Sequence, residues 1–250
     1  MNNVHSPGFI GFPDSKNLVV FIHGFMGGPR QFDRLAKSVS QNGFNAAILL
    51  LPGHGVSLKE FSSCTYRQWI EHVREKIDGF SQDYDNIWLV GHSMGGLLAL
   101  DASVYPSTKL RGVFTIACPF EIKRLSKADI KVRFVQLFGK EDNIIKAEYI
   151  NRSSVPRKPS VLFHSLAPMI EVKKFMYTTK SKLSKVCIPV KAIYSISDEL
   201  VSINSLVILK SGLKKAPFEY AVLVESLHGY YTEEDKSSIE EMLLDFIRRG

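Results

Sequence analysis

The feature that most constrains this chain is the apolar run Ile87-Trp88-Leu89-Val90, which passes directly into Gly91-His92-Ser93-Met94-Gly95-Gly96. The run reads as a buried strand, and the segment from Met94 onward reads as a helix. Only a tight turn separates them, with Ser93 at its apex. Such a Gly-x-Ser-x-Gly turn lifts a serine hydroxyl clear of the sheet. Gly91 and Gly95 suit the crowding there, because a Cβ at either position would meet the neighbouring strand or helix. The helix N-terminus adds backbone N–H groups and a dipole that favours developing negative charge. The bare pentapeptide also occurs as a plain helix cap, so the reading depends on its surroundings.

Those surroundings alternate strand and helix. Residues 18–22 form an apolar strand ending in His23-Gly24-Phe25-Met26-Gly27-Gly28. Residues 29–42 have helical spacing (Phe32, Leu35, Ala36, Val39), and Gly43 suits a helix stop. Residues 46–51 form the next strand, ended by Pro52-Gly53-His54-Gly55. Residues 66–80 read as an amphipathic helix with Trp69, Ile70, Val73 and Ile77 on one face. A helix over 94–104, strands over 112–117, 188–194 and 219–224, and a closing helix over 233–249 follow. Apolar strands alternating with helices belong in a mostly parallel sheet covered on both faces. The fold class is therefore α/β, with six to seven strands. Residues 119–185 break the rhythm and read as an inserted helical cap, leaving 1–118 and 186–250 as the core. The cap should sit over the strand C-termini, the edge where open α/β sheets bind ligands.

Composition narrows the class further. The chain has 250 residues, 45% hydrophobic and 23% charged, which suits one α/β domain with an insertion. It has no run of about 18 apolar residues, so no transmembrane helix is expected. Residues 1–12 lack the basic start and apolar stretch of a signal peptide. Cys64, Cys118 and Cys187 are odd in number and widely spaced, which fits free thiols and a cytoplasmic location. No ligand spacing suggests a metal, and no cofactor is implied. Net charge is +7, and residues 120–186 carry the excess, with 15 Lys+Arg against 6 Asp+Glu. The plain reading is a solvated basic surface; the sharper one is attraction to anionic substrates or an anionic surface. No recognition motif accompanies the charge, so no nucleic-acid partner is expected. The oligomeric state stays open between monomer and homodimer.

A serine nucleophile needs a base. Of the seven histidines, only His164 and His228 follow Ser93, and chain order around such a turn is serine, acid, histidine. His228 lies in the loop after strand 219–224 and before the last helix, pointing into the same crevice as Ser93. Asp198 follows strand 188–194 in Ser195-Ile196-Ser197-Asp198 and is the favoured acid. Asp142 is rejected because it lies inside the cap, and Glu199 and Glu225 are lesser alternatives. His228 would take the Ser93 proton, and Asp198 would fix the imidazole tautomer. The backbone N–H groups of Met94 and Phe25 are the candidate oxyanion donors. His23 and His54 read as loop-shaping residues. His92 reads chiefly as packing behind the turn, with a lesser part in substrate binding. Phe25, Met26, Phe120, Phe134, Phe138, Phe163, Met169, Phe175 and Met176 supply apolar surface near or in the cap, and His164 would line the pocket.

These pieces together resemble the α/β-hydrolase superfamily, and within it the small bacterial carboxylesterases and monoacylglycerol lipases. The matching residues are His23-Gly24-Phe25, Pro52-Gly53-His54-Gly55, Gly91-His92-Ser93-Met94-Gly95-Gly96, Asp198-Glu199-Leu200-Val201 and His228-Gly229. The resemblance implies a Ser93-His228-Asp198 triad, Phe25 and Met94 as oxyanion donors, and a short- or medium-chain ester as substrate. Ser195 departs from the family's frequent glycine three residues before the acid, which is tolerable if φ there is negative. The same triad serves thioesterases, amidases and C–C bond hydrolases, and a non-catalytic binding member of the fold is the remaining alternative.

Overall fold

The apolar runs become seven strands: β1 (Gly8–Ile10), β2 (Asn17–Ile22), β3 (Asn45–Ile48), β4 (Asn86–His92), β5 (Leu110–Ile116), β6 (Val190–Ser195) and β7 (Phe218–Leu223). They form one sheet in the order β1-β3-β2-β4-β5-β6-β7, with β1 antiparallel to β3 and every other pair parallel. The computed structural model describes residues 5–12, 14–105, 107–124, 126, 127, 131, 143–156 and 160–250. The helices within them are α1 (Asp33–Gln41), α2 (Leu58–Ser62), α3 (Tyr66–Asp83), α4 (Met94–Ser103), α5 (Ile144–Arg152), α6 (Val161–His164), α7 (Leu166–Lys182), α8 (Asn204–Gly212) and α9 (Glu233–Arg249). None of the described helices is long and apolar enough to cross a membrane.

The period of two along the strands divides the core into two layers. Leu18, Val20 and Ile22 of β2 join Trp69, Val73 and Ile77 of α3, Leu97 of α4 and Phe175 of α7. Val19 and Phe21 face the opposite side, with Ala36 and Val39 of α1 and Ile239, Leu243 and Phe246 of α9. Helix starts follow their capping residues. Thr65 and Gln68 form a reciprocal capping box at α3, Ser57 and Glu60 do the same at α2, and Thr232 accepts from the Asp235 N–H at α9. These placements set the C-terminal ends of β2, β4, β6 and β7 along one edge, where the site lies.

Three details differ from the sequence reading. The helix expected over 29–42 begins as a 3₁₀ turn, Pro29–Phe32, before α1. The strand expected to reach residue 51 ends at Ile48, because the Leu51 N–H turns to the His23 ring at 3.1 Å. Helices α2 and α8 carried no apolar period strong enough to be read. From the segment 119–185, α7 packs on α3 and α4, with Phe175 and Met176 in the same core layer.

An ion cluster ties α7 down. Asp101 of α4, 1% exposed, accepts from Arg74 of α3 at 2.8 Å and from Lys182 of α7 at 2.6 Å. Removing both cations strands a buried carboxylate, which costs about 3–5 kcal/mol. The double variant Arg74→Ala/Lys182→Ala should therefore lose more stability in urea denaturation than its two single variants added together. Adding Asp101→Asn should restore most of the loss. Strict additivity without rescue would contradict this account.

Candidate active site

The turn after β4 is held by close approaches that only glycine permits. A Cβ on Gly91 would run into the Gly95 carbonyl, and a Cβ on Gly95 would run into the Ile22 carbonyl at the end of β2. A Cβ on Gly24 would lie 3.0 Å from the Ser93 Cβ. Ser93 itself sits at φ 53, ψ −120, a backbone conformation that non-glycine residues rarely adopt. The Gly96 N–H donates to the Ser93 carbonyl at 2.9 Å, and the Ser93 N–H donates to Ile116 at 2.8 Å. The hydroxyl is thus fixed at the head of α4, 7% exposed.

The loops after β6 and β7 bring their residues to it. His228 Nε2 is 3.0 Å from Ser93 Oγ, and His228 Nδ1 is 2.8 Å from Asp198 Oδ2. Asp198 Oδ1 accepts from the Leu200 and Val201 N–H groups at 2.8 and 2.7 Å. The neighbouring Glu199 accepts the His228 backbone N–H at 2.9 Å, so the two acids hold the histidine from ring and main chain. Ser195 has no positive φ, and its hydroxyl donates to the Ser226 carbonyl, joining the two loops. The Phe25 and Met94 N–H groups make no hydrogen bond among the described residues, so both are available to a ligand.

The three histidines around this site are buried and held neutral. Burial, followed by the neighbouring His54, holds His23 well below its ordinary pKa; its Nδ1 donates to the Gly24 carbonyl at 2.9 Å. His54 is lowered to about 4 by burial, and its Nδ1 lies 3.1 Å from the Pro52 carbonyl. His92 is likewise held well below its ordinary value, mainly by burial and then by His228. Its Nε2 lies 3.0 Å from the His228 carbonyl and 3.2 Å from Tyr231 Oη, behind the turn.

A cavity of about 100 Å³ opens over Ser93, and Phe25, Met26 and His92 are among its lining residues. The turn His23-Gly24-Phe25-Met26-Gly27 that forms one wall closes with a Gly27 N–H to Gly24 carbonyl bond of 2.9 Å and places Met26 at φ 59. Ser154 braces it, its N–H donating to Met26 and its hydroxyl to Gly27. The other expected lining residues stand elsewhere. Phe120 is buried in the core beside α8, its N–H accepted by Ser205 Oγ at 3.0 Å. Phe163 is 75% exposed on α6, and His164 bonds back to the Ser160 carbonyl at 2.9 Å. The physical reason is that α6 turns its Val161 face, not these side chains, toward Phe25 and Met26. Phe134, Phe138 and Asp142 lie outside the described residues. Gln31, Arg152 and Ser153 line the cavity and were not read from the sequence, where nothing in their spacing marks them. Among the described residues no group of three side chains could hold a metal ion.

The chain is similar to known proteins in sequence and in fold. Residues 19–189 match the model of the alpha/beta hydrolase family. A thermostable monoacylglycerol lipase of Bacillus sp. (strain H-257) is 24% identical over 236 residues, 92% of this chain and 90% of that protein. A solved structure from work on the metagenome-derived lipolytic enzymes LipS and LipT has a TM-score of 0.79 at 20% identity, covering 100% of this chain and 99% of that one. A monoacylglycerol lipase of Paleococcus ferrophilus has a TM-score of 0.68 at 16% identity, covering 98% and 99%.

The buried histidines set a pH dependence. The unfolded chain binds a proton on His54 below about pH 6.5, whereas the folded chain refuses it until about pH 4. Stability is therefore fully present above that window and falls as pH drops through it, by about 3 kcal/mol for His54 alone. Denaturation at pH 7.5 and 4.5 should show the loss, and His54→Asn should reduce it by about the His54 share. Equal slopes in both proteins would contradict the assignment.

Proposed function

The chain belongs to the alpha/beta hydrolase family, and on that premise we propose that it is a serine esterase acting on short- or medium-chain acyl esters, monoacylglycerols among them. The observation that carries this reading is the unbroken relay from Ser93 Oγ through the His228 ring to Asp198 Oδ2, with links of 3.0 and 2.8 Å. The names of the lipolytic relatives support the choice of ester bond.

Ser93 Oγ attacks the ester carbonyl while His228 Nε2 takes its proton. Asp198, whose other oxygen accepts two backbone N–H groups, holds the ring in place and stabilises the imidazolium. The carbonyl oxygen becomes an oxyanion held by the Phe25 and Met94 N–H groups. His228 then gives its proton to the leaving alcohol, and an acyl group remains on Ser93. Water, deprotonated by the same histidine, cleaves that acyl-enzyme and restores Ser93. Ser154, which bonds to Met26 and Gly27, and α6, whose Val161 packs with Phe25 and Met26, make the cap over this edge together with α7.

Hydrolysis of p-nitrophenyl esters from acetate to laurate tests the reading. Ser93→Ala and His228→Ala should each lower kcat by about 10⁴-fold or more, and the double variant should be no worse than either single. The small cavity over Ser93, about 100 Å³, predicts an optimum at the short end of the series. Ester cleavage that persists in Ser93→Ala would overturn the proposal.

A further inference from the structure

A second cavity, of about 260 Å³, lies between the starts of α1 and α9 and the end of α5. Gln31, His92 and Arg152 line both it and the cavity over Ser93, so these three residues form the boundary between them. Arg152 is the charged member. Its side chain is 16% exposed, its Nε donates to Glu148 at 3.2 Å, and its guanidinium stands 5.4 Å from the centre of the Tyr231 ring. Its two terminal nitrogens donate no hydrogen bond among the described residues. Gln31 is similar: its Oε1 accepts the Gly24 N–H at 3.4 Å, and its amide Nε2 donates to nothing among them.

The surrounding charges do not consume Arg152. The cavity is lined by four cations, Arg30, Arg34, Arg152 and Lys236, against three carboxylates, Asp33, Glu148 and Glu233. Glu148 is shared with Lys236 at 2.8 Å, Glu233 is shared between Lys236 and Arg34, and Asp33 stands beside Arg30. A mostly buried guanidinium with its planar fork unspent matches a carboxylate or phosphate.

The direction of the chemistry says which part of a substrate would carry that anion. His228 returns its proton to the leaving oxygen, so the leaving group lies on the histidine side of Ser93. The second cavity is on that side: His92 and Tyr231 are among its lining residues, and the His92 ring lies tilted beside the His228 ring, with centres 5.1 Å apart. We propose that Arg152, assisted by Gln31, binds an anionic group on the leaving alcohol of the substrate. This rests on the esterase reading above.

The test compares kcat/KM for 4-butyryloxybenzoate, whose leaving phenol is anionic, with neutral 4-butyryloxybenzamide. The same two probes are given to the wild type, Arg152→Gln and Arg152→Lys, so intrinsic leaving-group reactivity cancels from the comparison. Arg152→Gln should lower the charged-to-neutral ratio about tenfold or more. Arg152→Lys keeps the charge opposite Glu148 but loses the fork, and should lower the ratio by a smaller factor. Either variant alone suffices to decide, and a ratio unmoved by substitution overturns the proposal. Cleavage of p-nitrophenyl butyrate by the wild type reports on the esterase reading separately. If that ester is cleaved and the ratio does not move, only the Arg152 assignment falls.

Discussion

Everything at the site depends on how closely the head of α4 approaches the end of β2. Gly95 packs on the Ile22 carbonyl and Gly91 on the Gly95 carbonyl, with no room for a side chain at either place. That contact forces the chain through a turn sharp enough to put Ser93 at φ 53. A residue in that region costs roughly 1–2 kcal/mol, and the two core layers above and below the sheet hold it there. The strain sets a hydroxyl at a helix N-terminus, beside the free N–H groups of Phe25 and Met94. Loss of either glycine would move Ser93, the Phe25 and Met94 N–H groups and the β2 loop together.

Asp198 and His228 come from loops that share little sequence with one another, yet the loops are cross-braced. Ser195 reaches the Ser226 carbonyl, Ser226 reaches Asp235 at the start of α9, and Glu199 holds the His228 main chain. The sheet supplies the coarse placement, since parallel strands end on one edge. These short hydrogen bonds supply the fine placement. Beside them, the neutral His92 contacts the His228 carbonyl, and charged side chains of α5 and α9 line the second cavity. The polar network is thus layered outward from the serine.

Much of this was legible in the sequence, because local chemistry dictates it. Continuous apolar runs marked β2, β4, β5 and β6, glycines marked the Ser93 turn, and the order serine, acid, histidine narrowed the candidates to Ser93, Asp198 and His228. Ser195 was a questioned departure, and the structure shows it both compatible with the backbone and useful to it. What was not legible depends on contacts distant in sequence. Gln31, Arg152 and Tyr231 meet only because the 3₁₀ turn, α5 and the start of α9 converge. Phe120, Phe163 and His164 were plausible by type, but the bend after β5 buries Phe120 in the core, α6 leaves Phe163 in solvent, and the His164 ring bonds back to Ser160.

The central claim is that Ser93 is the nucleophile and His228 its base. It is tested most directly by reacting the protein with diethyl p-nitrophenyl phosphate and mapping the adduct by mass spectrometry. The account predicts release of one equivalent of p-nitrophenol, a single diethylphosphoryl adduct on Ser93, and no reaction in His228→Ala. Ester turnover without an adduct on Ser93, or an adduct on another residue, would contradict it.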